Sequence, residues 1–310
     1  MLTGNQLERH MKPSRLFICA LFISIFAFSS CSNKDHLENT AAIWLWGKHM
    51  DDAPLKQWEE KGIEHIFLLE KAFDVHSEEY VYDFIKECNR HDMKVHIWFL
   101  CFGKDRKWRY PIDTENKCIR QESVDSVINR AVEYVKKGFD GVHLDYIRFA
   151  GNAHKYNYPE TGLTGTSVVT EFCRQISTAV KAVKPDAILS AAVMPEINSE
   201  HLYGQNPNEM GKWIDVLVPM IYRYGYAGKD MSLEWVKETT EWFVNNSGEA
   251  KIWAGTQTYT VNLEDNSPID MSAEAIISDC RDFKEAGVDG ISFFRHRLGE
   301  IPDMNDFWKE

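Results

Sequence analysis

The chain has 310 residues, a length that allows one large domain or two small ones. Hydrophobic residues make up 44% of it and aromatic residues 13%, which indicates a globular protein with a sizeable core. The formal net charge is -12, and no basic tract follows the extreme N-terminus. Nucleic acid is therefore not expected as a partner, because phosphate binding depends on clustered Lys and Arg.

The N-terminus has the pattern of a targeting segment. Lys12 and Arg15 precede an apolar run, residues 16–28, that is too short to span a membrane. Small residues then lead to Cys31, as in the cleavage sites of bacterial lipoproteins. We therefore expect a lipoprotein-type signal over residues 1–31, with Cys31 as the lipidated N-terminus. An ordinary secretory signal or an uncleaved anchor is the alternative.

The sequence after this signal divides into a short polar tether, residues 32–41, and one domain, residues 42–310. The signal predicts an exported protein of the bacterial cell envelope, in the periplasm or on the outer surface. A lipid on Cys31 would attach it to a membrane. The other cysteines of this part of the chain have wide, irregular spacing that resembles neither a disulfide framework nor a zinc motif. No metal site and no cofactor are predicted.

From residue 42 onward, strand and helix patterns alternate with little between them. The predicted strands cover residues 42–47, 63–69, 94–102, 141–147, 187–194, 214–222, 251–259 and 288–294. The predicted helices cover residues 54–62, 77–92, 124–137, 167–183, 231–245 and 272–286, and a long loop covers 150–166. Eight apolar strands separated by helix-sized segments predict parallel βαβ units that close into a single (β/α)8 TIM barrel. A doubly wound open sheet is disfavoured because no Gly-x-Gly-x-x-Gly turn follows the first strand.

The fourth predicted strand carries the strongest candidate for a catalytic group. Its alternate positions are Gly141, His143, Asp145 and Ile147, and we expect this set to face the barrel interior. Asp145 then lies near the C-terminal end of the strand, where catalytic groups of such barrels are found. A charged group directed inward is costly unless it is used or paired. Capping of the next helix, or pairing with Arg148, is the alternative role.

The segments at the other strand ends are rich in aromatic, His and carboxylate side chains. Aromatic rings stack on the C–H faces of sugars, and glycoside hydrolysis requires two carboxyl groups. We predict Asp145, Glu196 and His143 as catalytic residues, with His143 holding Asp145 by a hydrogen bond. The predicted substrate-binding residues are Trp44, Glu70, His96, Trp98, Arg148, Tyr222, Tyr224, Trp253, Gln257 and His296.

Several of these candidates have a second interpretation. Glu196 could cap the segment that follows it, and Glu70 could form a solvated pair with Lys71. The tryptophans could fill the barrel interior, and His96 could be a core histidine with its hydrogen bonds satisfied. The alternative function is a lipoprotein that binds glycan on a barrel scaffold without cleaving it.

Three segments carry a resemblance to known families. Residues 139–149, FDGVHLDYIRF, resemble the fourth-strand motif of the glycosyl-hydrolase-like barrel families, including the family-10-like bacterial lipoproteins. Residues 93–98, MKVHIW, and 215–222, DVLVPMIY, are similar to their third and sixth strands. The resemblance implies a barrel that acts on a glycan, with Asp145 as the leading catalytic position.

The fourth strand also resembles the signature of family 18 chitinases. In that pattern a glutamate stands at the position of Ile147 and an aspartate at that of His143. Isoleucine cannot donate a proton, so substrate-assisted chitinase chemistry is not expected here. Either another carboxylate acts, or the barrel binds glycan without cleavage.

Overall fold

The computed structural model describes residues 36–104 and 107–310. The predicted signal, Cys31 and the first part of the tether lie outside the described residues. The last part of the predicted tether belongs to the barrel, because Leu37 is buried in its interior and the first strand begins at Thr40. Within the described residues, no helix is both long and apolar enough to cross a membrane.

Eight parallel strands form a closed barrel, in which each strand pairs with the next along the chain and the eighth pairs with the first. The predicted (β/α)8 fold is therefore confirmed. The strands are β1 (Thr40–Leu45), β2 (His65–Leu69), β3 (Lys94–Leu100), β4 (Gly141–Asp145), β5 (Ile188–Val193), β6 (Val216–Pro219), β7 (Lys251–Gln257) and β8 (Gly290–Phe294).

Helices lie between the strands and after the last one. They are α1 (Leu55–Glu60), α2 (Ala72–Val75), α3 (Glu78–Arg90), α4 (Gln121–Lys136), α5 (Gly165–Val183), α6 (Glu200–Tyr203), α7 (Pro207–Met210), α8 (Leu233–Asn246), α9 (Ala273–Glu285) and α10 (Met304–Lys309). Their ends follow local chemistry. The Ser77 hydroxyl accepts a hydrogen bond from the Tyr80 N–H at the start of α3, and Gly138, at φ 121°, follows the end of α4.

Side chains alternate along each strand between two apolar layers. The outer layer, between strands and helices, is the larger and contains residues such as Ile43, Val142 and Leu144. The inner layer fills the barrel and includes Trp44, Phe67 and others. This alternation follows from the two-residue repeat of a β-strand. It therefore determines which side chains can reach a site inside the barrel.

Three aspartates organise the N-terminal end of the barrel. Asp140, Asp215 and Asp289 stand directly before β4, β6 and β8. Each carboxylate accepts a backbone N–H of the preceding strand at 2.8–2.9 Å, from Val95, Leu189 and Ile252 respectively. Each also pairs with a lysine, in the same order Lys184, Lys181 and Lys251. Asp215 therefore lies at the end of the barrel opposite to Asp145.

Leu37 and Trp253 close the same end of the barrel. The Trp253 indole N–H donates to the Leu37 carbonyl oxygen at 2.9 Å, and both side chains are buried. Gly290 leaves room for this ring, because a Cβ there would lie 2.5 Å from an indole carbon of Trp253. The N-terminal end of the barrel is thus filled by packed side chains.

Short hairpins extend the loops at the opposite end. They pair Gly103–Lys104 with Lys107–Trp108, Ile112–Asp113 with Cys118–Ile119, Asn157–Tyr158 with Leu163–Thr164, and Tyr259–Val261 with Pro268–Asp270. The third of these lies within the predicted long loop. All five cysteines of the described residues are free thiols, and Cys88, Cys173 and Cys280 are buried.

Candidate active site

A cavity of about 440 Å³ opens at the C-terminal end of the barrel strands. It is lined by Trp44, Trp46, Leu69, Lys71, Trp98, Leu100, Asp145, Tyr146, Arg148, Ala192, Met194, Pro195, Met220, Tyr222, Tyr226 and Phe294. The structure therefore brings five predicted site residues together here, namely Trp44, Trp98, Asp145, Arg148 and Tyr222. Asp145 is the one carboxyl group in this lining, within the described residues.

Asp145 is held by two hydrogen bonds at the end of β4. Its Oδ1 accepts the Tyr146 N–H at 2.6 Å and its Oδ2 accepts the Trp98 indole N–H at 3.1 Å. The side chain is 8% exposed, and burial raises the pKa of Asp145 to about 6, although both hydrogen bonds and the Arg148 charge act in the opposite direction. Near neutral pH this carboxyl group can therefore both give and accept a proton.

The chain leaves the strand pattern directly after Asp145. Tyr146 has a φ of 54°, in the left-handed region that non-glycine residues seldom adopt. This conformation places Tyr146 in the cavity lining, while Ile147 packs fully buried in the outer apolar layer. The expectation that Ile147 faces the barrel interior was wrong, because the two-residue alternation ends at Asp145.

His143 lies one step down the strand and does not bond to Asp145. Its Nε2 accepts the Trp44 indole N–H at 3.1 Å, and its Nδ1 lies 2.8 Å from the Ser190 hydroxyl. Because the indole can only donate, the ring proton lies on Nδ1. Burial, followed by His96, lowers the pKa of His143 well below its usual value. The predicted hydrogen bond to Asp145 was wrong, since both ring nitrogens have other partners.

His96 and Trp253 lie deeper still, outside the cavity. His96 is fully buried with its Nε2 2.9 Å from the His65 Nδ1, and burial lowers its pKa to about 3. Trp253 packs at 4.7 Å from the His65 ring, measured between ring centroids. Both therefore fill the barrel interior, as the second interpretation allowed, and neither contacts the cavity in this structure.

Arg148 is positioned by aromatic rings. Its guanidinium carbon lies 5.0, 5.1 and 5.7 Å from the ring centroids of Trp108, Tyr146 and Tyr203. One terminal nitrogen donates to the Phe149 carbonyl oxygen at 3.2 Å, while the buried Nε has no partner within the described part of the chain. Trp108 comes from the first hairpin after β3, which the sequence did not predict.

Glu196 lies behind the cavity wall. Its Oε1 accepts the hydroxyl protons of Tyr203 at 2.8 Å and Tyr226 at 2.5 Å. Its Oε2 is buried and has no partner within the described residues. Glu196 lines a neighbouring cavity of about 420 Å³, whereas Tyr226 lines the Asp145 cavity. Tyr226 therefore stands between the two predicted catalytic carboxyl groups.

The remaining candidates lie elsewhere, and each has a structural partner. Glu70 pairs with Arg130 of α4, and His296 lies 3.3 Å from an Asp52 carboxylate oxygen. The Gln257 side chain accepts the Tyr224 N–H at 2.9 Å and donates to the Tyr224 carbonyl oxygen at 3.1 Å. Gln257 thus fixes the loop after β6. None of Glu70, Tyr224, Gln257 and His296 lines the Asp145 cavity.

Several lining residues were not among the predicted site residues. Trp46, Lys71 and Tyr226 stood at predicted strand ends, so their positions gave a signal for them. Phe294 likewise ends the eighth predicted strand, whereas Tyr146 lacked a signal, because a strand pattern alone does not show where the backbone turns. Among the described residues, no group of three or more His, Cys, Asp and Glu side chains is arranged to hold a metal ion.

Residues 107–262, half of the chain, match the family described as "putative glycosyl hydrolase domain". The chain belongs to this family. The matched residues of the glycosyl hydrolase domain include Asp145, Arg148, Glu196 and Tyr226. The expected membership of a glycosyl-hydrolase-like barrel family is confirmed. No curated protein sequence matches the chain.

Solved structures of glycoside hydrolases share the fold. A glycoside hydrolase family 18 N-acetylglucosaminidase from Paenibacillus barengoltzii has a TM-score of 0.58 at 14% identity, over 87% of this chain and 99% of that one. The PgaB (BpsB) glycoside hydrolase domain from Bordetella bronchiseptica has a TM-score of 0.60 at 11% identity, over 87% and 98%. A chitinase from Bacteroides thetaiotaomicron has a TM-score of 0.59 at 14% identity, over 83% and 89%.

Proposed function

We propose that this protein hydrolyses glycosidic bonds of a polysaccharide or cell-wall glycan, with Asp145 as a catalytic carboxyl group. The observation that carries the proposal is the position of Asp145. It is buried, has a pKa raised to about 6, and lies in the lining of an aromatic cavity at the C-terminal end of the barrel. Membership of a glycosyl hydrolase domain family supports the same reaction.

The cavity walls suit a sugar. Trp44, Trp46 and Trp98 offer indole rings, and Tyr222 stacks on Phe294 with 5.5 Å between ring centroids. Ring faces pack against the C–H faces of sugars, while the tyrosine hydroxyl groups of the lining can bond to sugar oxygens. The cavity can therefore contact both the apolar faces and the hydroxyl groups of a sugar.

The reaction needs one proton donor and one proton acceptor. Protonated Asp145 donates its proton to the glycosidic oxygen as the bond from that oxygen to the anomeric carbon breaks. Water adds its hydroxyl to the anomeric carbon, and the remaining proton passes to Glu196 by way of Tyr226, whose hydroxyl bonds to Glu196. Proton exchange with solvent then restores both groups. Because the donor must be protonated, activity should fall as the pH rises above about 6.

Binding without cleavage is the second candidate function. It is favoured by one observation, that Asp145 is the one carboxyl group of the lining within the described residues. Glycoside hydrolysis ordinarily uses two carboxyl groups that both flank the bond to be broken. In the binding role, Asp145 and Arg148 would orient sugar hydroxyl groups, and no product would form.

The test is product release from a panel of polysaccharides and peptide-free cell-wall glycan strands. Asp145→Asn keeps the size of the side chain but cannot donate a carboxyl proton, so we expect at least a 100-fold loss of activity. Ser292→Ala, a change inside the barrel below the cavity, serves as the control. Full activity of Asp145→Asn with an unchanged fold would refute the assignment. If the wild type and Asp145→Asn both bind a glycan and neither releases products, the binding function would be favoured.

We also propose that the protein is exported and anchored through a lipid on Cys31. The basic residues, the short apolar run and the small residues before Cys31 support this. The lipidated protein should fractionate with membranes, and Cys31→Ala should release it into the soluble fraction. An unchanged distribution would argue for the ordinary secretory signal or the uncleaved anchor.

A further inference from the structure

The charge of the Asp145 cavity differs from that of the chain as a whole. The chain carries a formal net charge of -12. The cavity lining nevertheless contains two cationic side chains, Lys71 and Arg148, against the single carboxyl group of Asp145. The formal charge of the lining is therefore positive in a protein that is acidic overall.

Aromatic rings rather than a carboxylate hold the Arg148 guanidinium. Three rings lie within 5.7 Å of its central carbon, and no carboxylate oxygen of the described residues lies within ion-pair distance of it. Stacking of this kind fixes the plane of the guanidinium but leaves N–H groups at its edge for a ligand. Asp145 acts on the Arg148 charge only from a distance, and the buried Nε of Arg148 has no partner within the described residues, so a ligand carboxylate could occupy the edge of the guanidinium.

A second cavity adjoins the Asp145 cavity. It has a volume of about 380 Å³, shares Trp46, Leu69 and Lys71 with the Asp145 cavity, and adds Lys48 and Asp74. The Lys48 ammonium lies 5.0 Å from the centroid of the Trp46 ring. The two cavities form one cleft through these shared walls, and its formal positive excess lies in the Asp145 cavity, because Asp74 offsets Lys48 in the second one. A chain of several sugars could contact both cavities.

We propose that the cleft takes a glycan whose sugars carry carboxylate groups, and that Arg148 binds one of these carboxylates. This deepens the proposed function, on which it rests, by naming the substrate class of the same site. The guanidinium presents two N–H groups in the geometry that matches a carboxylate, which an ammonium group cannot do. Neutral and amino-sugar glycans would leave the Arg148 guanidinium without an anionic partner in contact.

The test compares ligands that differ only in charge. One pair of probes is tetragalacturonate and its methyl ester, in which the carboxylate belongs to the sugar ring. The other pair is peptide-free glycan strands containing muramic acid and the same strands after methyl esterification, in which the carboxylate lies on an ether substituent. Calorimetry at low ionic strength gives the dissociation constants, and product analysis gives the cleavage rates.

We expect at least one acidic probe to bind 10-fold or more tightly than its ester, with the preference weakening as salt is added. Arg148→Gln should abolish the preference, and Arg148→Lys should retain only part of it. Arg174→Gln is the matched control, because it removes the same charge from an ion pair with Glu171 on α5. This variant should keep the wild-type preference.

Equal binding of acid and ester in both pairs by the wild type would overturn the proposal, whether or not the Arg148 variants fold. The outcome is separable from that of the proposed function. Cleavage of acidic and esterified glycans at equal rates would leave hydrolysis standing and refute the carboxylate preference. Arg148-dependent binding of the acidic probe without cleavage would support the preference and refute hydrolysis.

Discussion

Asp145 is a carboxyl group on which burial and hydrogen bonding act in opposite directions. Two N–H donors favour its charged form, and the barrel interior disfavours that form more strongly. The balance leaves a proton on Asp145 at a pH where an exposed aspartate has lost it. The same balance makes the stability of the fold depend on pH.

The pH dependence follows from the raised pKa. Between pH 3.8 and about 6 the folded chain holds the Asp145 proton more tightly than the unfolded chain. The resulting stabilisation is complete below the unfolded pKa and is lost as the pH rises through the folded one. Relative to Asp145→Asn, the wild type should lose roughly 1 kcal/mol of unfolding free energy between about pH 5 and about pH 7. Urea unfolding of both proteins measures this, and a pH-independent difference would contradict it.

Tyr226 should contribute more to kcat than Tyr203, although both donate to the same oxygen of Glu196. Only Tyr226 also lines the Asp145 cavity. We expect Tyr226→Phe to lower kcat about 100-fold or more, the usual range for loss of a proton-transfer group, and Tyr203→Phe to lower it less. Steady-state kinetics of the two variants provide the comparison. Equal losses would mean that Glu196 has a structural role only.

At the scale of single elements, β4 depends on a glycine. A Cβ at Gly141 would lie 2.3 Å from the Ile188 carbonyl oxygen and 2.4 Å from Nδ1 of His96. Neither neighbour can move, because one is backbone and the other bonds to His65. The absence of a side chain at Gly141 is therefore what allows His96 to fit inside the barrel.

This packing predicts a large effect from a single methyl group. Gly141→Ala should lower the free energy of unfolding by about 3 kcal/mol or more, because the overpacking cannot relax. Gly255→Ala in β7 is the matched control, since its nearest new contact would be at 3.0 Å from the Pro219 carbonyl oxygen. Gly255→Ala should lower the free energy of unfolding by less than Gly141→Ala does. Thermal unfolding of the two variants decides the matter, and equal losses would show that the local clash is not the cause.

The elements differ in how far the sequence predicts them. The eight strands could be predicted because apolar residues recur every second position between helix-sized segments. The hairpins around the cavity could not, since strands of two or three residues have no measurable period. Ile147 shows a second limit, because its side depends on one left-handed residue, Tyr146, and not on any pattern.

The candidate site was predictable in part for a related reason. Alternation correctly indicated that His96, His143 and Asp145 share the barrel interior. It does not indicate how far each side chain lies below the open end of the barrel. Side chains two positions apart on a strand differ in height by about 7 Å, so His143 lies below the cavity that Asp145 reaches. Arg148 and Tyr222 reached the cavity because they follow their strands rather than lie within them.

At the scale of the whole molecule, one end of the barrel contributes to stability and the other carries the Asp145 cavity. Leu37, 3% exposed, packs at the end opposite to Asp145. Leu37→Ala should lower the free energy of unfolding by about 2 kcal/mol or more, while kcat and KM well below the unfolding temperature stay unchanged. Chemical denaturation and kinetics test the two halves of this prediction. A parallel loss of activity in the folded protein would show that the ends are coupled.

The position of Leu37 also has a practical consequence. Within the described residues, the chain reaches β1 through the closed end of the barrel, away from the Asp145 cavity. A protein shortened to begin at His36 and coupled through its N-terminus to a sensor surface or bead would therefore present its cleft to the sample. Long glycans that could not reach a randomly immobilised protein would then have free access.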